Sequence, residues 1–144
     1  MIAAPMTRPH ETFGYALKRA QHALRLRMDR DLKPIGLSAP QYAVLASLEH
    51  EPGLSNADLA RRTFVTPQTM QSMLAKLERD GMIERTPDAE HGRIQRTELT
   101  AKGREVLTAA HDVARDVERT AANAIGEKPD GATDMLRRVA DALR

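Results

Sequence analysis

The segment from Thr66 to Arg79 carries the side chains best suited to contact another molecule. On a helix with about 100° between successive residues, methionines and leucines fall on one side and amide, hydroxyl and methyl groups on the other. Amides can pair with adenine edges, hydroxyls can serve several bases, and small side chains let the backbone approach a groove of DNA. This outer face consists of Gln68, Ser72, Ala75 and Arg79, flanked by Thr69, Gln71 and Lys76. We therefore expect it to contact base edges.

The outer face has a less specific interpretation, because glutamine and serine on most exposed helices only contact water. The neighbouring elements favour DNA instead. A short helix over 56–62, a turn over 63–65 and a helix over 67–80 form a helix-turn-helix. Gly81 then stops the second helix, and two short strands around a glycine-containing tip over 82–99 form a hairpin wing. This order of elements predicts a winged helix-turn-helix whose second helix enters the major groove.

Capping residues at the helix starts position these elements. Ser38, Ser55 and Thr66 can each accept a hydrogen bond from the backbone of the first helical turn. Gln41 and Asp58 stand three residues after the two serines, where their side chains can return the bond. The other helices predicted from apolar periodicity span 11–33, 39–50, 101–125 and the segment after residue 131.

These elements predict a mainly α fold with a small β-hairpin wing, in a single domain that spans residues 1–144. The predicted parts are a flexible arm over 1–9, dimerisation helices over 10–36 and 101–144, and a winged helix-turn-helix over 37–100. The helix over 101–125 has two apolar stripes, and one chain can bury only one of them. We therefore expect a two-fold homodimer with its recognition helices about 34 Å apart. A monomeric helical bundle is the alternative.

The composition of the 144-residue chain excludes several classes of protein. Because it has no cysteine, it has no disulfide, thiolate metal site, cysteine nucleophile or thiol-based redox sensor. No apolar run reaches the roughly 18 residues of a membrane helix, and no secretory signal is recognisable, so we expect a cytoplasmic protein. The formal net charge is only +2. The net charge therefore does not indicate DNA binding. The evidence for it must come from where individual polar and charged residues are placed.

The sequence contains no motif typical of an enzyme. We find no Gly-rich phosphate loop, nucleophile elbow, His-Glu-x-x-His run or paired carboxylates. The histidines are scattered, so a regulatory zinc site would have to combine His50, His91 or His111 with a nearby glutamate. We predict no catalytic residue, no metal site and no cofactor.

Several motifs, taken in order, resemble one protein family. They are Leu54-Ser-Asn-Ala-Asp-Leu-Ala-Arg-Arg62, Val65-Thr-Pro-Gln-Thr-Met70, Leu77-Glu-Arg-Asp-Gly-Met-Ile-Glu-Arg85, His91-Gly-Arg93 and Glu98-Leu-Thr-Ala-Lys-Gly103. In combination they resemble the MarR family of bacterial winged helix-turn-helix regulators over nearly the whole chain. The resemblance implies a homodimer on a pseudo-palindromic operator that usually represses transcription until a small ligand or an oxidant weakens binding. The thiol-oxidation sensors of that family are excluded here.

The resemblance also implies individual DNA contacts. The recognition-helix contacts correspond to Thr66, Gln68, Thr69, Gln71 and Ser72. Arg93 matches the wing arginine, but His91 and Gly92 replace the first two residues of the commoner Asp-Arg-Arg pattern. An acidic partner for Arg93 would then have to be Asp88 or Glu90. The full set of DNA-binding residues that we predict is Ser55, Arg62, Thr66, Pro67, Gln68, Thr69, Gln71, Ser72, Lys76 and Arg93.

A ligand pocket is expected between the helices over 11–33, 39–50 and 101–125. Its polar-tipped side chains would be Tyr15, His22, Tyr42 and His111. The resemblance implies a small aromatic or anionic effector, whose binding would change the distance between the two recognition helices. The alternative function is a dimeric helical adaptor that binds protein and not DNA. A steep loss of affinity with rising salt would identify the DNA binder.

Overall fold

The computed structural model describes residues 8–126 and 128–144. Its helices are α1 (Phe13–Leu32), α2 (Ala39–His50), α3 (Asn56–Thr63), α4 (Pro67–Arg79), α5 (Ala101–Ile125) and α6 (Pro129–Ala142), with short 3-10 turns at Pro9–Glu11 and Lys33–Ile35. The antiparallel strands β1 (Ile83–Pro87) and β2 (Gln95–Leu99) lie between α4 and α5 in the chain. The predicted mainly α fold with a hairpin wing is confirmed.

The element boundaries differ from the predicted ones by a few residues. α1 begins at Phe13 because Thr12 caps it, with its Oγ1 accepting a hydrogen bond from the Tyr15 N–H at 3.1 Å. β2 begins at Gln95, since the residues before it form the tip of the hairpin. Residues 1–7 of the predicted arm lie outside the described residues, and Pro9 begins a 3-10 turn.

Side-chain caps set the starts of the winged helix-turn-helix as predicted. Ser38 and Ser55 form capping boxes with Gln41 and Asp58. Thr66 accepts a hydrogen bond from the first turn of α4. Each cap satisfies a backbone N–H that has no partner within its own helix. The residues at which α2, α3 and α4 begin are therefore fixed by local hydrogen bonds.

The core lies where the end of α1 and the helices α2, α3, α4 and α5 meet the base of the hairpin. Its largest fully buried aliphatic side chains are Leu32, Leu45, Leu48, Leu59, Met70, Leu74, Leu77, Ile83 and Leu107. Removal of this apolar surface from water is the main stabilising contribution to the fold. Because three of these residues lie on α4, their burial turns the opposite side of that helix outward.

The helices at the two ends of the chain leave apolar side chains at the surface. Leu26 on α1 is 55% exposed, and Leu143 after α6 is 80% exposed. The other large apolar side chains exposed on these helices and at the end of α5 are Phe13, Tyr15, Leu24, Ile125, Met135 and Leu136. Exposed apolar surface of this extent is typical of a face that another molecule covers.

Candidate DNA-binding surface

The outer face of α4 is accessible along its length. Its exposed residues are Gln68, Thr69, Gln71, Ser72, Lys76 and Arg79, and Ala75 is half-buried. On the opposite side, Met70, Leu74 and Leu77 are buried in the core. The chain therefore does not cover the amide and hydroxyl groups that sequence reasoning singled out.

The start of α4 presents a cap and exposed backbone. The Thr66 Oγ1 accepts from the Thr69 N–H at 3.1 Å and donates to the Thr69 Oγ1 at 3.0 Å. Asn56 Nδ2 donates to the Pro67 carbonyl oxygen at 3.4 Å, which joins the start of α3 to the start of α4. Thr66 and Pro67 are exposed. Such a helix N-terminus attracts anionic groups through its N–H groups and its dipole.

Asp88 organises the tip of the wing. Its Oδ2 accepts from Arg96 Nε at 2.7 Å, and its Oδ1 accepts from the backbone N–H groups of Glu90 at 2.8 Å and His91 at 3.1 Å. The Arg96 guanidinium and these two N–H groups lower the pKa of the Asp88 carboxyl to about 2. The prediction that Asp88 or Glu90 is the acidic partner of Arg93 is wrong. Among the described residues neither carboxylate pairs with Arg93, and Asp88 pairs with Arg96 instead.

A cleft of about 400 Å³ separates the wing from α4 and the start of α3. The polar side chains that line it are Ser55, Asn56, Gln71, Arg85, Arg93, Gln95 and Thr97. Three buried atoms of these side chains have no hydrogen-bond partner within the described chain, namely Asn56 Oδ1, Arg85 Nε and Thr97 Oγ1. Buried polar atoms cost free energy unless a bound group or solvent satisfies them. The cleft is therefore suited to polar groups.

Two of the predicted DNA-binding residues, both cationic, already have carboxylate partners. The Arg62 guanidinium pairs with Glu51, and Lys76 Nζ lies 2.8 Å from Asp80 Oδ2. The Lys76 hydrogen bond lowers the pKa of the Asp80 carboxyl. Exposed ion pairs contribute little to stability because water competes for both partners. Either cation can therefore exchange its carboxylate for a phosphate group.

Ser55 uses its polar groups to start α3. Its hydroxyl accepts from the Asp58 N–H at 3.2 Å and donates to Asp58 Oδ2 at 2.7 Å, and its own N–H donates to the same oxygen at 3.1 Å. The hydroxyl and backbone hydrogen bonds from Ser55 lower the pKa of Asp58. The structure thus gives Ser55 a positioning role, and its contact with DNA stays a prediction.

The four residues predicted for a ligand pocket do not all come together on one chain: Tyr42 and His111 are in contact, and Tyr15 and His22 are not part of that contact. Tyr42 Oη is 2.9 Å from His111 Nδ1, which joins α2 to α5, and His111 Nε2 is 2.8 Å from Glu49 Oε1. Burial, and then the Glu49 carboxylate, raises the pKa of Tyr42. Tyr15 and His22 are instead exposed on α1. Sequence reasoning missed Glu49, since nothing in the local pattern marks a partner 62 residues from His111.

Sequence reasoning also missed a groove of about 320 Å³ between α1, the start of α2 and the turn before α4. The residues that line it include Gln21, Leu24, Arg25, Met28, Pro40, Phe64 and Val65. Its walls are mainly apolar, with one cationic side chain at Arg25. No periodic signal could reveal it, because its residues come from three elements distant in the sequence.

Residues 8–126 and 128–144 contain neither a cluster of metal-binding side chains nor a helix that could span a membrane. No three His, Asp or Glu side chains are grouped closely enough to hold a metal ion, so His50, His91 and His111 do not combine there. Within the same residues, no helix combines the length and the apolar character that crossing a membrane requires.

Comparison with known proteins finds one family. A sequence model described as MarR family matches residues 35–94. The HTH-type transcriptional repressor Rv2887 of Mycobacterium tuberculosis is 41% identical over 102 residues, which cover 71% of this chain and 73% of that protein. The transcriptional regulator HosA of Escherichia coli O127:H6 is 35% identical over 82 residues, which cover 57% of this chain and 61% of HosA.

Solved structures give the same result. The transcriptional repressor CouR bound to a 23-mer DNA duplex matches with a TM-score of 0.82 and 28% identity, covering 98% of this chain and 100% of CouR. The Mycobacterium tuberculosis MarR family protein Rv2887 in complex with salicylic acid matches with a TM-score of 0.69 and 34% identity. That match covers 92% of this chain and 96% of Rv2887.

Proposed function

The chain belongs to the MarR family of transcriptional regulators, and from this premise we propose that it represses transcription by binding a pseudo-palindromic operator as a homodimer. The observation that carries the proposal is the exposed outer face of α4. Amide and hydroxyl groups stand there on a helix whose other side is locked into the core, so their positions are fixed before DNA arrives. The relatives are named as regulators and not as enzymes or adaptors.

We propose that α4 lies in the major groove and the wing lies beside it. Gln68 and Gln71 present the carboxamides that can pair with adenine, and the exposed hydroxyls can serve several bases. Arg93 on the wing reaches a phosphate or the adjacent minor groove. Arg62 and Lys76 exchange their carboxylates for phosphates, which adds affinity without base preference. CouR, a structural neighbour that is bound to a 23-mer DNA duplex, supports DNA binding by this fold.

We propose that the homodimer forms through the apolar surfaces of the end helices. Phe13 and Leu26 on α1 and Met135 and Leu136 on α6 are exposed on one chain and would be covered by a second copy. A two-fold axis through this interface presents the same α4 face twice, as the two half-sites of a palindrome require.

We propose that a small aromatic acid acts as effector. The groove between α1 and the turn before α4 offers apolar walls for a ring and Arg25 for a carboxylate. It touches both a dimerisation helix and the helix-turn-helix, so a ligand there can favour one distance between the recognition helices over another. The salicylic acid complex of Rv2887 supports an acid of this class. Tyr15, His22, Tyr42 and His111 remain alternative contacts, which a dimer could rearrange.

The test of DNA binding is selection of bound fragments from genomic DNA, followed by affinity measurements over a range of salt. We expect enrichment of sites with two related half-sites and a linear fall of log affinity with log salt, because binding releases counterions from the duplex. Failure to enrich any sequence, or affinity that salt does not change, would overturn the proposal.

The effector is tested separately by titrating the complex of the protein with an enriched fragment. Salicylate and a set of related aromatic acids are the probes, and cyclohexanecarboxylate is the control for charge without an aromatic ring. We expect at least one aromatic acid to weaken DNA binding. If none of them changes the affinity, the effector part of the proposal is wrong and DNA binding itself stands.

A further inference from the structure

The residues from Leu99 to Gly103 lie neither on the outer face of α4 nor in the groove proposed for the effector, between α1 and the turn before α4. It ends the wing and begins α5. Its contacts lead to the C-terminus of α4, which is the end of the recognition helix far from its cap. This segment therefore joins the helix that would contact DNA to a helix that would form the dimer.

α4 ends in a tight, fully bonded turn. The Gly81 N–H donates to the Glu78 carbonyl at 3.0 Å, and the Met82 N–H donates to the Leu77 carbonyl at 3.0 Å. Gly81 adopts a φ of +75°, in the left-handed region that favours glycine. This pattern of two bonds is the Schellman motif. The chain leaves α4 in one defined direction.

The start of α5 binds the three carbonyl groups that follow α4. Lys102 Nζ donates to the Asp80 carbonyl at 2.7 Å, and the Thr100 Oγ1 donates to the Gly81 carbonyl at 2.6 Å. The Thr100 N–H donates to the Met82 carbonyl at 3.1 Å. We call these three bonds the α4–α5 clamp. Three successive acceptors on one helix end are thus held by two residues of the other.

The two backbones touch at the clamp. A Cβ added to Gly103 would lie 2.0 Å from the Met82 carbonyl oxygen, a distance that no side chain tolerates. Gly103 is buried, and its N–H donates to the Thr100 Oγ1 at 3.0 Å. Close packing of this kind leaves no slack between the helices in translation. The three hydrogen bonds then add to the packing of both helices in the core in restraining their relative rotation.

A small rotation at the clamp has a large effect at the DNA-facing end of α4. The helix has 13 residues and is therefore about 20 Å long. A rotation of about 10° at one end moves the other end by about 3 Å, close to the rise of one base pair. A small change of angle at the clamp would therefore change the distance between the two half-sites that the dimer can contact.

We propose that the α4–α5 clamp sets the half-site spacing that the homodimer accepts, with Lys102 as its positioning residue. This inference rests on the proposed function. Lys102 is exposed, and its stem lies over Gly81, so its removal exposes the Asp80 carbonyl to water without opening the core. Loss of its hydrogen bond loosens the angle between α4 and α5 and removes none of the proposed DNA-contacting side chains.

The experiment measures affinity for an enriched fragment and for versions with one base pair inserted or deleted between the half-sites. Wild-type protein is expected to lose about tenfold in affinity on either altered spacing, similar to one mismatched base pair. Lys102→Met is expected to lose less than about threefold. Lys102→Arg, which can still donate to the carbonyl, is expected to retain the wild-type discrimination.

Arg104→Met is the matched control, since it removes one positive charge from the same end of α5 at an exposed residue outside the clamp. Undiminished discrimination in Lys102→Met would overturn the inference. So would equal weakening on all three duplexes with a smaller salt slope, because that result identifies Lys102 as a phosphate contact. Failure of wild-type protein to enrich DNA would instead be failure of the proposed function.

Discussion

Phe64 combines two unfavourable features at the turn before α4. Its φ is +57°, the only positive value among the described non-glycine residues, and its side chain is 94% exposed. The left-handed conformation costs a residue with a Cβ roughly 1–2 kcal/mol. Glycine avoids this cost but has more entropy to lose on folding, about 0.5–1 kcal/mol. We expect Phe64→Gly to stabilise the protein by about 0.5 kcal/mol in urea unfolding at fixed protein concentration.

Phe64→Ala is the control for that substitution, because it removes the exposed ring and keeps the strained backbone. Its stability should stay close to that of the wild type. Equal stabilisation by glycine and alanine would show that the exposed ring, and not the backbone conformation, is the source of the effect.

Gln68 and Arg93 are expected to contribute differently to DNA binding. Gln68→Ala should lower affinity for the preferred operator by about 1–3 kcal/mol and leave affinity for random DNA unchanged, since it removes a base contact. Arg93→Ala should weaken all sequences alike and reduce the salt slope by about one, since it removes a phosphate contact. Binding titrations on operator and random duplexes at several salt concentrations distinguish the two. Uniform weakening by Gln68→Ala would contradict base contact.

For single residues, the sequence predicted which side of a helix a side chain faces. It did not predict which residue that side chain pairs with. The outward position of Gln68 follows from helical periodicity, which the burial of Met70 fixes. The pairing of Arg62 with Glu51 depends on how the loop before α3 lies, and the pairing of Asp88 with Arg96 depends on strand register. A residue type therefore indicates what a side chain can bind, while tertiary neighbours determine what it does bind.

A single carboxylate, Asp88, holds the tip of the wing through three hydrogen bonds. Because the folded-state pKa of Asp88 is about 2, below its ordinary value of 3.8, its stabilisation of the tip is full above that ordinary value. The contribution is lost as pH falls through about 2. We expect the amide resonances of Glu90 and His91, which donate to Asp88, to titrate with a midpoint near pH 2 in NMR spectra.

Arg96→Met provides the matched comparison for this titration. It removes the largest cause of the lowered pKa, so the midpoint should move up toward 3.8. Asp88→Asn should abolish the titration altogether. A midpoint that Arg96→Met leaves unchanged would mean that the backbone N–H groups alone hold the carboxylate in its charged form.

The elements themselves were largely predictable because their ends carry explicit signals. Ser38, Ser55 and Thr66 cap the helices that sequence reasoning assigned to them, and Gly81 ends α4. The contacts between elements were not predictable. The α4–α5 clamp uses backbone carbonyls as acceptors, and every residue has one. Only the path of the folded chain selects Asp80 as the acceptor for Lys102.

At the scale of the whole molecule, the sequence predicted that one chain cannot bury all of its apolar surface. It did not predict how the helices that carry this surface are arranged. Two apolar stripes on the helix over 101–125 predicted a partner surface, and the end helices do expose apolar residues such as Met135 and Leu136. The proposed ligand contacts show the limit of such reasoning. Tyr42 and His111 meet across α2 and α5, while Tyr15 stands exposed on α1. Periodicity gives the faces of helices and leaves their mutual arrangement open.

Leu136→Asp tests the homodimer and its coupling to DNA. An aspartate buried in an apolar interface would lose its hydration without a partner, so the substitution should shift the protein toward monomer. Sedimentation velocity over a range of concentrations measures that shift. Because two half-sites bound together strengthen each other, operator affinity at low protein concentration should fall by about two orders of magnitude. Arg138→Asp, about 200° around the same helix, should leave the dimer intact. A Leu136→Asp variant that stays dimeric would remove α6 from the proposed interface, and a monomer with wild-type affinity would contradict binding to two half-sites.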